Sequence, residues 1–323
     1  MNLPVGAALP ARNGFDLAAW SQRHLTQVER ALERWVTVDA PAGLGHGAPA
    51  ALVDAMRYAV LDGGKRLRPL LVMASCEAMC GNAAAALRAA CAVELIHAYS
   101  LVHDDMPCMD NDVLRRGKPT VHVKYGEAQA LLAGDALQAL AFELLTPEES
   151  ISVDAAVPAA LQARLCRLLA QAAGSAGMAG GQAIDLASVG HALSEQQLRE
   201  MHRLKTGALL QGSVMMGAAC GLQGTGASKT LEALAAYGAA MGLAFQVVDD
   251  ILDATEDSAT LGKTAGKDAE QDKPTYVSVL GLARSRAFAQ ELLASALAAL
   301  DTSGLAGTQA LRALANMVVN RKA

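Results

Sequence analysis

The sequence predicts an all-α, single-domain protein, and three observations carry that prediction. Ala- and Leu-rich segments at helical spacing recur along all 323 residues. Aromatic residues make up only 3% of the chain and runs of β-branched residues are scarce, which disfavours sheet. The hydrophobic content of 52% is ample for one large core, and no linker divides the sequence. We therefore expect residues 1–323 to form one domain.

The first helices are bounded by clear signals in the sequence. A helix is expected from Asp16 to about Val36, followed by a Pro/Gly-rich loop and a second helix over 50–61. The second helix stops at Gly63-Gly64, and Pro69 suits the first turn of the next helix. A short flexible connection therefore leads into the third helix.

That connection carries a basic cluster, Lys65, Arg66 and Arg68. Backbone N–H groups and positive charge at a helix N-terminus suit a phosphate group, which makes the cluster a candidate phosphate cradle. It is not a P-loop, because the pattern G-x-x-x-x-G-K-[ST] is absent. The alternative is an ordinary basic start of a helix.

The next apolar helix, Leu87 to Val102, runs into an acidic stretch that ends at Gly117. The stretch contains Asp104, Asp105, Asp110, Asp112, Arg115 and Arg116. Carboxylates gathered in this way repel each other unless a cation lies among them. A solvated acidic turn that caps the helix is the alternative. Because Pro107 has no backbone N–H to donate, we expect the helix to bulge within this stretch.

A second acidic run, Phe245 to Asp253, lies at the end of a long apolar stretch: the chain is uncharged from Ala233 to Val248, and the aspartates begin at Asp249. On a helix, four of its polar side chains share an arc of roughly 100° while the apolar ones fall outside it. These four are Gln246, Asp249, Asp250 and Asp253. Three carboxylates on one face suit Mg²⁺, which shares its oxygen ligands with phosphates and water. The alternative is a surface pair of carboxylates.

Two further regions carry weaker signals. Capping boxes are expected at Thr146–Glu149 and at Ser194 with Gln197. The glycine-rich segment 174–181 interrupts helical sequence where a helix can kink beside a ligand. Gln182 and Asp185 follow it, with roles that the sequence leaves open.

A polar segment, 254–274, has the composition of a mobile lid. It contains Lys263, Lys267 and Lys273, and the role of Lys267 stays open.

Composition excludes several classes of protein. A net charge of −5 offers no basic patch for nucleic acid or an anionic membrane surface. The six cysteines form no CxxC pair, which indicates a reducing compartment, and no signal peptide is visible at the N-terminus. The uncharged segment 206–228 contains several glycines and glutamines, so we expect a buried helix there and no membrane span. A cytoplasmic protein is expected.

Six stretches of the chain, several of them described above, resemble motifs of bacterial short-chain trans-prenyltransferases of the farnesyl diphosphate synthase type. The matching stretches occur in the family's order and span nearly the whole chain, which makes the match specific. They are Gly63–Pro69, the first acidic run through Gly117, Gly181–Leu186, Lys205–Ala208, Phe245–Asp253 and Leu261–Thr264. The resemblance implies a single isoprenoid synthase bundle of roughly ten or more helices around a central cavity, in a homodimer.

The resemblance also assigns roles for the head-to-tail condensation of isopentenyl diphosphate with an allylic diphosphate. About three Mg²⁺ ions would be held by Asp104, Asp105, Asp110, Asp249, Asp250 and Asp253. Arg115, Lys205 and Lys263 would bind the allylic diphosphate, with Lys273 added to the substrate-binding set. Lys65, Arg68, His97 and Arg116 would bind isopentenyl diphosphate, and Thr206 and Gln246 would border the reacting centre. Without the resemblance, His97 reads as an ordinary core histidine.

Product length is expected to depend on the helix that carries Asp104. Tyr99 and Ser100 lie about one to one and a half turns earlier, where a growing chain would meet them. Tyr99 is a rigid ring that can act as a floor. In the family that the chain resembles, the position five before the first aspartate commonly sets chain length, so the resemblance implies a fifteen-carbon product, farnesyl diphosphate. Similarity of the first acidic run to plant geranylgeranyl enzymes makes a twenty-carbon product the alternative.

Two other functions are alternatives to this one. A terpene cyclase shares the first aspartate motif, but its second metal motif has Asn and Ser or Thr where this chain has three Asp. A non-catalytic partner of a prenyltransferase typically lacks one acidic run, and this chain keeps both.

Overall fold

The computed structural model describes residues 15–39, 47–61, 63–147, 157–191, 193–221, 228–255 and 275–321, most of which are helical. The helices are α1 Leu17–Trp35, α2 Ala50–Val60, α3 Leu67–Ala78, α4 Ala83–Asp104, α5 Val121–Tyr125, α6 Glu127–Leu145, α7 Ala159–Ala173, α8 Met178–Ala187, α9 Glu195–His202, α10 Ala208–Ala219, α11 Ser228–Thr255, α12 Tyr276–Leu280, α13 Leu282–Thr302 and α14 Gln309–Val319. A π-helical turn, Arg203–Gly207, joins α9 to α10. The predicted all-α fold is confirmed.

Helix α4 lies at the centre of the bundle. It packs against α1, α2, α3, α6 and α10. Alanines on several of its faces are completely buried, among them Ala85, Ala89, Ala90 and Ala92, so neighbouring helices approach it from different sides. A helix that is apolar all round belongs in the interior of a bundle. One core cluster continues from Trp20 in α1 to Val319 in α14.

Helix boundaries set by local signals agree with the sequence. Asp16 caps α1 by accepting a hydrogen bond from the Ala19 backbone N–H at 3.0 Å. Ser194 and Gln197 form the expected capping box at the start of α9. The box expected at Thr146–Glu149 lies partly outside the described residues. The break between α7 and α8 lies where the glycine-rich interruption is expected.

The expected bulge in the first acidic stretch is wrong. Helix α4 ends at Asp104, and the chain folds into a tight loop closed by backbone hydrogen bonds from Asp110 to Asp104 at 2.9 Å and from Asp112 to Asp105 at 3.1 Å. Pro107 has no N–H to continue the ladder, so the backbone finds partners within the loop instead. The loop keeps the first three aspartates close to the end of α4.

A short hairpin follows the loop, and the sequence did not predict it. Its strands, β1 Leu114–Arg115 and β2 Lys118–Pro119, pair antiparallel. The turn residues Arg116 and Gly117 have φ of 53° and 76°, the left-handed conformations that a two-residue type I′ turn requires.

Three helices, α4, α6 and α11, are long and apolar enough to cross a membrane by length and composition alone. Inside the protein, 67%, 39% and 50% of their apolar windows are buried, respectively. The segment singled out in the sequence, 206–228, instead contains the shorter helix α10, most of which is buried. The expected absence of a membrane span stays a prediction.

Candidate active site

A cavity of about 400 Å³ opens beside α4, α8 and the π-helical turn. Part of its wall is apolar, with Leu101, Met109, Met178 and Leu186. Seven side chains selected from the sequence also line it: Arg68, His97, Tyr99, Ser100, Asp104, Lys205 and Thr206. An apolar cavity with a few converging polar groups is typical of a small-molecule site.

Lys205 reaches the cavity from the π-helical turn and is held there by α8. Its Nζ lies 2.5 Å from Oδ2 of Asp185, whose side chain is 9% exposed. Helix α8 can approach the π-helical turn closely because residue 181 is glycine. A Cβ at that position would lie 2.0 Å from the Lys205 backbone nitrogen. Asp185, whose role the sequence left open, therefore positions the Lys205 ammonium group.

A chain of hydrogen bonds links the π-helical turn to the second acidic run. Thr206 Oγ1 donates to Gln246 Oε1 at 3.1 Å, and Gln246 Nε2 donates to Asp250 Oδ1 at 2.9 Å. The other Asp250 oxygen accepts from the Tyr276 backbone N–H at 2.7 Å. Asp250 is buried, so the chain fixes its carboxylate between α11 and the start of α12.

The first acidic run contains two carboxylates in different environments. Both oxygens of Asp105 accept hydrogen bonds from Arg115, at 2.6 to 2.9 Å. Burial raises the pKa of Asp104 to about 6, with Lys205 as the largest opposing influence. The positive charge near Asp104 is therefore too small to offset the cost of burying its ionised form. A carboxylate in that condition favours binding of a cation.

On the other side of the site, Arg116 from the hairpin contacts the glycine loop before α3. Its Nη1 donates to the Gly63 carbonyl at 2.8 Å. Gly64 has φ of +133°, a conformation that favours glycine, and the missing Cβ leaves room for the Arg116 guanidinium, whose Nη1 would lie 2.9 Å from it. The hairpin and the loop, separate in the sequence, therefore present their basic residues together.

Arg66 was one of the three basic residues of the predicted phosphate cradle, and for this residue the prediction is wrong. Its guanidinium donates to Glu29 and Glu94, each at 2.7 Å, and to the Val60 carbonyl at 2.5 Å. The residue is buried and has φ of 44°. Arg66 therefore anchors the loop to α1 and α4, and the carboxylates already occupy the hydrogen-bonding groups that a phosphate would need.

Arg68 and His97 line the cavity close to that loop. The Nε of Arg68 is buried with no hydrogen-bond partner in the described structure. Burial, with the positive charges of Arg68 and Arg116 adding to it, holds the pKa of His97 well below its usual range. His97 is therefore neutral at pH 7 and offers one ring N–H as donor.

One contact to the second acidic run was missed by the sequence. Nη2 of Arg321, just beyond α14, lies 3.1 Å from Asp249 Oδ1. No local signal identifies the contact, because the two residues are 72 positions apart.

The donor set fits Mg²⁺, which prefers carboxylate oxygens. Among the residues that the structure describes, no three acidic, histidine or cysteine side chains are grouped so that they could hold a metal ion. Arg115 occupies Asp105, and backbone and amide donors occupy Asp250. Mg²⁺ commonly takes one or two carboxylates and completes its shell with phosphate oxygens and water, which suits this arrangement.

Several predicted site residues have no assigned contact with the cavity. Lys263 and Lys273, with the whole expected lid after Thr255, lie outside the described residues. Lys65 is exposed in the glycine loop, and Asp110 and Asp253 are partly exposed.

The chain is similar in sequence and in structure to known proteins of related function. The polyprenyl synthetase family model matches residues 49–311. A farnesyl diphosphate synthase from Haemophilus influenzae is 45% identical over 299 residues, which are 92% of this chain and 97% of the relative. A chloroplastic geranylgeranyl pyrophosphate synthase from Catharanthus roseus is 43% identical over 311 residues, 96% of this chain and 82% of the relative. A solved geranyltransferase from Helicobacter pylori, complexed with magnesium and isoprenyl diphosphate, matches with a TM-score of 0.77 and 33% identity over 98% of both chains.

Proposed function

Because this chain belongs to the polyprenyl synthetase family, we propose that it is a farnesyl diphosphate synthase, which joins isopentenyl diphosphate to dimethylallyl or geranyl diphosphate. The family resemblance found in the sequence is confirmed. The observation that carries the proposal is the shared cavity, which is lined by Arg68, His97, Asp104 and Lys205 and is otherwise largely apolar. Two diphosphate groups need the charged and polar side chains, and the prenyl chain attached to one of them needs the apolar wall.

The allylic diphosphate is assigned to the side of the cavity where Lys205 and Asp104 lie. Lys205, oriented by Asp185, donates to the leaving diphosphate, as does Arg115 from its place beside Asp105. Asp104, Asp105, Asp110, Asp249, Asp250 and Asp253 would hold Mg²⁺. At Asp105, Asp249 and Asp250 the metal would have to share or displace the hydrogen bonds from Arg115, Arg321 and Gln246. When bound, Mg²⁺ supplies the positive charge that neutralises the departing diphosphate.

Isopentenyl diphosphate is assigned to the basic side of the site. Lys65, Arg68 and Arg116 provide charge, and neutral His97 adds a hydrogen bond rather than an ion pair. The double bond of this substrate attacks the first allylic carbon, the bond to the diphosphate breaks, and a proton then leaves the adjacent carbon. We assign that proton to the departing diphosphate. Thr206 and Gln246 border the reacting carbons, and the apolar wall excludes water from the cation.

A coupled assay tests the function. The protein is incubated with radiolabelled isopentenyl diphosphate, geranyl diphosphate and Mg²⁺, and the extracted products are separated by chain length. Label in farnesyl diphosphate is the expected result. Conversion of farnesyl diphosphate alone to a hydrocarbon would identify a cyclase, and no turnover under any condition would identify a non-catalytic partner.

The two diphosphate sites are expected to respond separately to mutation. Lys65→Ala or Arg68→Ala should raise the Michaelis constant for isopentenyl diphosphate about tenfold or more, because each removes a charge-assisted hydrogen bond. Lys205→Ala should instead act mainly on the allylic substrate. Initial rates with each substrate varied in turn measure both constants. Arg284→Ala, which removes an exposed arginine paired with Glu291, is the control. Equal effects on both substrates would contradict the assignment.

Tyr99 is expected to limit product length. It lines the cavity from α4, and its ring meets that of His103 with centroids 5.7 Å apart. Tyr99→Ala should open this end of the cavity and lengthen the main product by at least one five-carbon unit, as measured by chromatography of the extracted products. Tyr125→Ala, on α5, is the matched control. An unchanged product distribution would place the floor elsewhere, for instance at Met106 or on a facing helix.

A geranylgeranyl diphosphate synthase is the second candidate. The similarity to the Catharanthus roseus enzyme covers 96% of this chain, as extensive as the similarity to the bacterial relative. A twenty-carbon main product from the unmodified protein would establish this alternative.

The proposal includes a homodimer in the cytoplasm. Leu131 and Leu132 on α6 are 47% and 52% exposed, and adjacent exposed leucines support an interface between copies. All six cysteines are free, and Cys76, Cys91 and Cys220 are buried, which suits a reducing compartment. Sedimentation of the purified protein tests the dimer.

A further inference from the structure

Arg321 is placed beside the second acidic run by three independent contacts. Its Nη2 donates to Asp249 Oδ1 and to the Phe245 carbonyl, both at 3.1 Å. Its Cζ lies over the Phe245 ring at 4.4 Å from the centroid. The side chain is only 9% exposed. The ring and the carbonyl hold the guanidinium in position even if Asp249 takes another partner.

The guanidinium is a permanent charge in a site that is proposed to bind divalent cations. Burial lowers its pKa, while Asp249 and Asp253 act in the opposite direction. An arginine nevertheless stays protonated at neutral pH. A metal ion that binds Asp249 must therefore approach a fixed positive charge. It must also displace the hydrogen bond from Arg321 or share the carboxylate with it.

We infer that Arg321 is a built-in counter-cation that lowers the affinity of the second acidic run for a divalent metal until a diphosphate is present. A diphosphate brings enough negative charge to compensate both the metal and the guanidinium, so the repulsion matters most in its absence. Metal and diphosphate would then bind together rather than the metal first. This inference rests on the proposed function only in that the acidic run binds Mg²⁺.

Binding of Mn²⁺, followed by electron paramagnetic resonance without any substrate, tests the inference. Arg321→Met keeps most of the side-chain volume and removes the charge, and it should bind Mn²⁺ about tenfold more tightly than the unmodified protein. Addition of inorganic diphosphate should reduce that difference to about twofold or less. Arg321→Lys keeps the charge and should bind Mn²⁺ nearly as the unmodified protein does.

Two controls separate this effect from a general loss of structure. Arg312→Gln removes an arginine from α14, the helix that precedes Arg321, where it pairs with Asp301, and should leave Mn²⁺ affinity unchanged. In an Asp249→Asn background, Arg321→Met should lose most of its effect, because the carboxylate that the guanidinium covers is gone. If Arg321→Met does not fold, Arg321→Gln is titrated in its place.

The inference is overturned if removal of the charge leaves Mn²⁺ affinity the same or weaker in folded protein, or if neither the unmodified protein nor Arg321→Met binds Mn²⁺ with or without inorganic diphosphate. The assay for farnesyl diphosphate formation is independent of these titrations. A protein that shows the Mn²⁺ effect but makes no product would refute the proposed function and leave the inference standing.

Discussion

Replacement of Asp104 by Ala is expected to lower kcat about 1,000-fold, which corresponds to the loss of roughly 4 kcal/mol of transition-state stabilisation. Asp104 lines the cavity, and burial raises its pKa to about 6 because nearby positive charge is insufficient. A bound Mg²⁺ would correct that deficit, most strongly when charge develops on the leaving diphosphate. Asp249→Ala is expected to act in the same direction. The measurement is the steady-state rate at saturating substrates and Mg²⁺.

Replacement of Asp104 by Asn should stabilise the protein in the absence of Mg²⁺. The folded-state pKa of Asp104 lies above its ordinary value of 3.8, so folding favours the protonated form and stability falls as the pH rises from about 4 to about 6. Asp104→Asn removes this penalty and should raise the free energy of unfolding by up to about 2 kcal/mol at pH 7. Below pH 4 the gain should vanish. Urea titrations at pH 4 and pH 7 measure it.

Asp54→Ala provides the matched control, since it removes an exposed aspartate on α2 outside the cavity. It should change neither kcat nor the pH dependence of stability. Near-full activity of Asp104→Ala at saturating Mg²⁺ would contradict the assignment of Asp104 to the metal site.

Gly181→Ala is expected to destabilise the protein by roughly 3 kcal/mol or more. A Cβ at this position would lie 2.0 Å from the backbone nitrogen of Lys205 and 2.4 Å from its Cα. These are backbone atoms, so α8 and the π-helical turn must separate. Separation would also move Asp185 away from Lys205, and activity should fall with stability. Helix propensity alone predicts the opposite sign, because Ala favours a helix over Gly by about 1 kcal/mol.

Urea unfolding and activity at low temperature together measure this effect. Ala187→Ser, at an exposed position of the same helix, should change the free energy of unfolding by no more than about 0.5 kcal/mol. A Gly181→Ala protein as stable as the unmodified one would show that α8 does not approach the π-helical turn this closely.

The helix boundaries that depend on neighbouring residues were predictable from the sequence. Asp16 caps α1, and Ser194 with Gln197 caps α9, because a capping side chain and its partner are only three residues apart. The all-α class was also predictable, since it follows from composition and periodicity along the whole chain. The candidate residues Arg68, His97, Asp104 and Lys205 came from motifs, and the structure places them on one cavity.

The packing of helices against one another determined the long-range ion pairs, which local sequence signals do not encode. The pairing of Asp185 with Lys205 depends on how closely α8 approaches a turn 20 residues later, and the pairing of Arg321 with Asp249 depends on how α14 lies against α11. Helical periodicity gives the faces of each helix, but not which faces meet. The end of α4 at Asp104 was likewise decided by loop hydrogen bonds that replace the helical ones which Pro107 prevents. The motifs therefore identified the chemistry, and the tertiary structure determined which charges neutralise one another and which remain to attract a ligand.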